Sequence, residues 1–225
     1  MGVKLVMSKP YHLVIFDWEG TLGDTIGPII NTIAAIAKRL NYDEFDEREA
    51  RLYVPLGLGM VIKKLFPNLS LHQYEQFLQE VQHYLVKESL EVALIPGARE
   101  ILQQLKLAGI DLAIATNKGQ SSLKRALLGS KLDTYFSITR SAGDAPAKPC
   151  PQMLEEILNE TGFNADQALM VGDSTVDMEM AKYIGVDAIG FDYDHNQGEK
   201  LIAAGALDVF HNYRQLAQFL QLPLN

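Results

Sequence analysis

Cysteine is almost missing from this chain: Cys150 stands alone among 225 residues. A lone thiol forms no internal disulfide, so the fold is expected to hold without a covalent framework and to suit a reducing compartment. Long apolar runs are missing as well, and nothing approaches the ~20 consecutive apolar residues of a membrane span. Residues 1–10 carry one short apolar patch and two lysines, short of the ~7–15 apolar residues of a secretory leader. They run straight into a strand-like stretch at Tyr11–Phe16, so a cytoplasmic location without membrane contact is expected. Basic blocks are absent too. Lys and Arg number 20 against 28 Asp and Glu, a formal net charge of −8. That balance argues against nucleic acid, whose binding is dominated by cationic contacts to phosphate. His72, His83, His195 and His211 are scattered without metal-ligand spacing, and Cys150 has no evident base partner that would make it a nucleophile.

What is present is a chain 48% hydrophobic and 21% charged, ample for a real core in an α/β domain with or without a smaller insert. Short apolar strands are expected at His12–Phe16, Asp111–Ala115, Ala168–Val171, Val186–Gly190 and Leu207–Phe210, with one more near Tyr135–Ile138. Helical spacing separates them at Ala98–Ala108, Ser121–Leu128, Gln152–Thr161, Thr175–Ile184, Gly198–Ala204 and Tyr213–Leu220. Strands that alternate with helices imply βαβ units and a Rossmann-like, mostly parallel sheet covered on both faces. One interval breaks the rhythm. Ile26–Leu40, Arg48–Tyr53, Met60–Phe66 and Leu71–Ser89 read as helices. Residues 24–93 are therefore expected to form an α-helical insert, with 11–23 and 94–225 making the core.

Ligands of an open parallel sheet bind at the carboxyl ends of its strands. Three polar clusters fall there: Asp17-Trp18-Glu19-Gly20-Thr21-Leu22, Thr116-Asn117-Lys118, and Gly172-Asp173-Ser174-Thr175-Val176-Asp177. A fourth, Ala147-Lys148-Pro149, opens a helix between the second and third. Each has an ordinary reading in isolation: Thr116-Asn117 as a turn, Lys148 as a surface lysine, Asp173 as a helix N-cap. Their ordered convergence on one sheet edge is what those readings leave unexplained.

Phosphoryl transfer needs a nucleophile, charge neutralisation and positioning, and the set supplies all three. Asp17 can attack phosphorus. Asp17 and Asp173 are hard oxygen ligands suited to Mg²⁺. Lys148 and the cation offset the repulsion among the carboxylates. Thr116 offers a hydroxyl, and the backbone N–H groups after it offer more donors. Asp177, one helical turn beyond Asp173, can hold a metal-bound water or orient Lys148. Trp18 lies between two site-facing positions, so its side chain should point into the packing. In the insert, Leu56-Gly57-Leu58-Gly59 is a candidate substrate-facing turn, while Lys63 and Lys64 read better as a solvated helix face.

Asp17-x-Glu19-Gly20-Thr21-Leu22, Thr116-Asn117, Lys148-Pro149-x-Pro151 and Gly172-Asp173-x-x-x-Asp177 resemble, in order and spacing, the four motifs of the haloacid dehalogenase (HAD) superfamily. The resemblance runs from Tyr11 to about Asn212. The insert resembles the C1 cap of the branch that includes phosphoglycolate phosphatase and β-phosphoglucomutase relatives. It implies an Mg²⁺-dependent phosphatase of a small phosphorylated metabolite, acting through an aspartyl-phosphate as a monomer or homodimer. The implied roles are Asp17 as nucleophile and metal ligand, Glu19 as acid–base with its backbone carbonyl on the metal, and Asp173 as metal ligand. Thr116, Asn117 and Lys148 would hold the phosphoryl group, with Asp177 in support. One position departs from the pattern, since phosphatases of the family carry Asp where this chain has Glu19. Glu19 leaves open a working acid–base, a sluggish enzyme or a phosphometabolite-binding protein, and a phosphosugar mutase stays as an alternative. Haloacid dehalogenation, which uses neither a metal nor this acidic pattern, does not fit.

Overall fold

In the computed structural model, residues 11–54, 57–88, 93–194 and 196–223 are described. The chain divides into two compact units, Met1–Gly23 with Leu94–Asn225, and Asp24–Ala93.

The first unit is built on a sheet of six parallel strands in the order β3-β2-β1-β4-β5-β6. These are β1 (Leu13–Phe16), β2 (Asp111–Gly119), β3 (Ile138–Ala142), β4 (Ala168–Gly172), β5 (Asp187–Phe191) and β6 (Asp208–Phe210). The expected α/β class holds. The central strands β1 and β4 are buried at every residue, as a parallel sheet covered on both faces requires. Helices Ala98–Leu107, Gln120–Ser130, Gln152–Thr161, Thr175–Tyr183, Gly198–Ala204 and Tyr213–Phe219 pack around it. One buried cluster joins Leu13, Ile15, Ala113, Met170 and Ala188 of the strands to Met153, Leu154, Ile157, Met178 and Leu201 of the helices.

Two expectations shift, and one ordinary reading falls away. The strand placed near Tyr135–Ile138 begins at Ile138 instead. Tyr135 N–H closes a turn on Leu132 O, and sheet pairing starts only when Ser137 N–H reaches Leu112 O. Its polar Thr139-Arg140-Ser141 run concealed it, and such residues are tolerated because β3 is an edge strand, half-buried over much of its length. The strand that Thr116 was expected to end continues to Gly119 through a register shift between Thr116 and Gly119. Asp173 is not the cap of the helix that follows it. Ser174 is, in a capping box with Asp177.

The second unit is helical, with elements at Gly27–Arg39, Glu47–Tyr53, Leu58–Leu65 and Leu71–Glu88. It has its own core of Ile33, Ile36, Val61, Ile62, Phe66, Phe77 and Val81. Phe66 and Phe77 meet edge-on at 5.1 Å, and Tyr42 leans on both. Gly57 starts the third helix at φ 94°, where a side chain would be strained, so the glycine serves the turn. Lys63 and Lys64 are exposed and lie over the rings of Tyr74 and Tyr53 at 5.1 and 5.9 Å. No helix among the described residues is long and apolar enough to cross a membrane.

Because Ile15 has no exposed surface at the centre of the sheet, Ile15→Ala is expected to cost about 2–5 kcal/mol of stability. Ile202→Ala, at a side chain 49% exposed, should stay within about 1 kcal/mol. Chemical denaturation of the two variants checks the contrast.

Candidate active site

Strand register sets the site. Phe16 at the end of β1 pairs with Ile114 of β2 on one side and Val171 of β4 on the other. Asp17 N–H then donates to Val171 O at 2.9 Å, and two residues beyond Ile114 and Val171 the flanking strands reach Thr116 and Asp173. The chain turns sharply after Asp17, with Leu22 and Gly23 N–H both donating to Trp18 O. Trp18 is 1% exposed, the packing residue that alternation implied.

Two glycines allow the acids to crowd. Gly20, at φ +74°, leaves no room for a Cβ, which would sit 2.1 Å from Asp173 Oδ2. A Cβ at Gly172 would sit 2.5 Å from the Asp177 carboxyl. One carboxylate oxygen from each of Asp17, Asp173 and Asp177 lies within 4.8 Å of the others.

Lys148 is at the centre of this group. Its side chain is 2% exposed, and Nζ donates to Asp17 Oδ1 at 2.7 Å and to Asp177 Oδ1 at 2.6 Å. Lys148 N–H donates to Asn117 Oδ1 at 2.8 Å, so Asn117 ties the lysine's loop to β2. Asp177 is fully buried. Its second oxygen accepts from Ser174 N–H at 3.1 Å and Ser174 Oγ at 2.5 Å. Both Asp177 oxygens are thereby engaged, whereas Asp17 keeps one oxygen that Lys148 does not hold. Thr116 is 1% exposed, and its hydroxyl accepts from Lys118 N–H at 3.2 Å. Glu19 is exposed, and its carboxylate accepts from Lys118 Nζ at 2.7 Å. The Glu19 pairing was not anticipated: Lys118 was only the residue after Thr116-Asn117, and nothing local in sequence joins it to Glu19.

The donor set fits a hard divalent cation. It is all oxygen, carries several negative charges and is compact. Asp17, Asp173 and Asp177 could hold such an ion; of the three, Asp177 has both oxygens engaged by Lys148 and Ser174, which favours Asp17 and Asp173. The carboxylates crowd one another electrostatically. Burial pushes the Asp17 carboxyl up to about 6, against the Lys148 ammonium and with the charge of Asp177. Burial, then the neighbouring Asp17 and Asp177, push Asp173 up to about 8. For Lys148 burial disfavours the ammonium, but the two carboxylates outweigh it and its affinity for the proton rises. Tyr213, buried against Phe191 at 4.5 Å, donates to Thr21 O and so braces the turn behind Asp17. A separate groove of about 1010 Å³ runs along the Gln120–Ser130 helix and β3, lined by Lys124, Phe136, Arg140 and Asp144 among others; none of the acidic site residues lines it.

The acidic cluster lies at the carboxyl ends of a parallel sheet, where open α/β sheets bind their ligands. The chain matches the model of the haloacid dehalogenase-like hydrolases over residues 14–191 and belongs to that family. Curated relatives include phosphoglycolate phosphatases. That of Rhodospirillum rubrum is 29% identical over 93% of this chain and 91% of its own length. That of Colwellia psychrerythraea is 30% identical over 91% of this chain and 95% of its own length. A hydrolase structure from Streptococcus pneumoniae, 17% identical, superposes with a TM-score of 0.71, covering 94% of this chain and 98% of that one. At that identity the likeness shows the fold.

The raised carboxyls carry a pH signature. Folded Asp17 and Asp173 retain protons up to about 6 and 8 that the unfolded chain releases near 3.8. The folded state is therefore favoured at low pH by this linkage, and the contribution is lost as pH rises through those values. In metal-free buffer the melting temperature of Asp173→Asn, relative to the parent, should rise between about pH 5 and pH 8. A constant difference across that range would contradict the shifts.

Proposed function

We propose that this hydrolase is an Mg²⁺-dependent phosphomonoesterase of small phosphorylated metabolites, with Asp17 as nucleophile and phosphoglycolate as the first substrate to test. The observation that carries the proposal is the grip of Lys148 on Asp17. One carboxylate oxygen is fixed by a buried ammonium, and the other remains to attack beside Asp173. The names of the curated relatives favour the same chemistry, and the all-oxygen donor set favours Mg²⁺.

Bound magnesium would supply positive charge to the phosphoryl oxygens and relieve the crowding of Asp17 and Asp173. The rest falls to this chain's residues. The oxygen of Asp17 that Lys148 does not hold forms a bond to phosphorus as the ester P–O bond breaks. Glu19 donates a proton to the departing oxygen, which leaves as an alcohol. Lys148 and the Thr116 hydroxyl hold the phosphoryl oxygens, with backbone N–H groups of the turn completing the cradle. Glu19 then takes a proton from water, whose oxygen bonds to phosphorus as the bond to Asp17 breaks. Inorganic phosphate leaves and Asp17 is restored. In this scheme Asp177 keeps Lys148 charged and in place. The net charge of −8 and the absence of basic blocks in the sequence also leave nucleic acid out of the proposed partners.

Phosphate release from phosphoglycolate, sugar phosphates, nucleoside monophosphates and p-nitrophenyl phosphate, with and without Mg²⁺, tests the proposal. Asp17→Asn is expected to lower turnover by at least about a thousandfold with the fold intact. Glu19→Gln should lower it about a hundredfold, whereas Glu19→Asp should keep or raise it. Parental turnover by Asp17→Asn, or none by the parent on any ester, would refute the assignment.

A further inference from the structure

Glu19 is one methylene longer than the aspartate the family pattern carries, and a longer carboxylate has one more rotatable bond and more places to go. In this chain the carboxylate has a partner: Lys118 Nζ donates to Oε1 at 2.7 Å. The pair joins the turn after β1 to the end of β2, 99 residues apart in sequence. The register shift between Thr116 and Gly119 carries Lys118 out of the regular pleat, and the bond from its N–H to Thr116 Oγ1 at 3.2 Å fixes the backbone beneath it. The side chains are 20% and 49% exposed. A pair this exposed adds little to stability, so its consequence is geometric.

We infer that Lys118 is a positioning residue for Glu19: it fixes the carboxylate of the longer acid where proton transfer takes place, offsetting the reach added by the extra methylene. The inference rests on the proposed acid–base role of Glu19. Lys118 need not touch the phosphoryl group, which falls to Lys148 and Thr116. Shortening Glu19 to aspartate withdraws the carboxylate by about 1.5 Å and dissolves the pair, so the need for Lys118 should vanish with it.

A double-mutant cycle reads this dependence directly. The parent, Lys118→Ala, Glu19→Asp and the double variant of the full chain would be assayed with Mg²⁺ and p-nitrophenyl phosphate. Nitrophenolate departs readily, so turnover then reports the step in which Glu19 takes a proton from water. In the parent background Lys118→Ala should lower kcat about tenfold, in line with misplacement of a catalytic group. KM and the inhibition constant for inorganic phosphate should stay within about twofold. In the Glu19→Asp background the same change should lower kcat less than about twofold, and Lys118→Arg should recover part of the loss in the parent. Thermal unfolding of each variant separates lost positioning from lost fold. Equal losses in both backgrounds would overturn the inference, as would no loss in either, or a loss carried by KM and the phosphate constant, which would make Lys118 a substrate ligand. A parent without Mg²⁺-dependent turnover would refute the phosphatase reading itself and the inference with it; a turning-over parent without coupling refutes only the role of Lys118.

Discussion

A single buried ammonium organises the acidic end of the sheet. Lys148 sits between Asp17 and Asp177 at 2.7 and 2.6 Å with its side chain almost wholly out of solvent. Removing one member of a buried, hydrogen-bonded charge group typically costs about 3–5 kcal/mol, because the partners are left charged without compensation. That cost is not a net gain in stability, since a buried charge group is weak evidence for stability; what the group does is hold one oxygen of Asp17 in place. Everything around it follows from the need to bring like charges together: Gly20 and Gly172 leave out the Cβ atoms that would collide with Asp173 and Asp177, Ser174 occupies the second oxygen of Asp177, and Asn117 fixes the backbone of Lys148. Asp17 and Asp173 are both left above their ordinary ionisation, at about 6 and about 8, and a divalent cation would act on both, most on Asp173.

Much of this was legible in the residue order. Short apolar runs ending in Asp17, Thr116 and Gly172-Asp173 announce parallel strands with polar groups at their carboxyl ends, since a strand buried on both faces can carry polarity only where it stops. The helical stretch between Gly27 and Glu88 was readable from apolar spacing, because each helix buries one stripe against the others. β3 was misplaced because an edge strand needs no continuous apolar run, and Ile138-Thr139-Arg140-Ser141-Ala142 has none. Asp173 and Ser174 are both good caps, and the backbone gives the place to Ser174, so the ordinary reading of Asp173 as an N-cap falls away.

Which acid does what was less legible. Sequence left Asp177 a choice between a metal-bound water and Lys148; the geometry places it on the lysine. Asn117 was expected among the phosphoryl-holding residues; its side-chain oxygen has a further task, accepting from the backbone of Lys148. The pairing of Glu19 with Lys118 had no local signal at all, since it depends on the turn after β1 meeting the end of β2. A substitution that looked like a defect in sequence thus has a matching cation in space.

The most direct measurement is a crystal structure grown with Mg²⁺ and beryllium trifluoride, a mimic of a phosphoryl group attached to a carboxylate. The expected result is an adduct on Asp17, with Lys148 and Thr116 against the fluorides and an ion shared by Asp17 and Asp173. An adduct on any other residue, or an ion bound away from these two aspartates, would contradict the proposed chemistry.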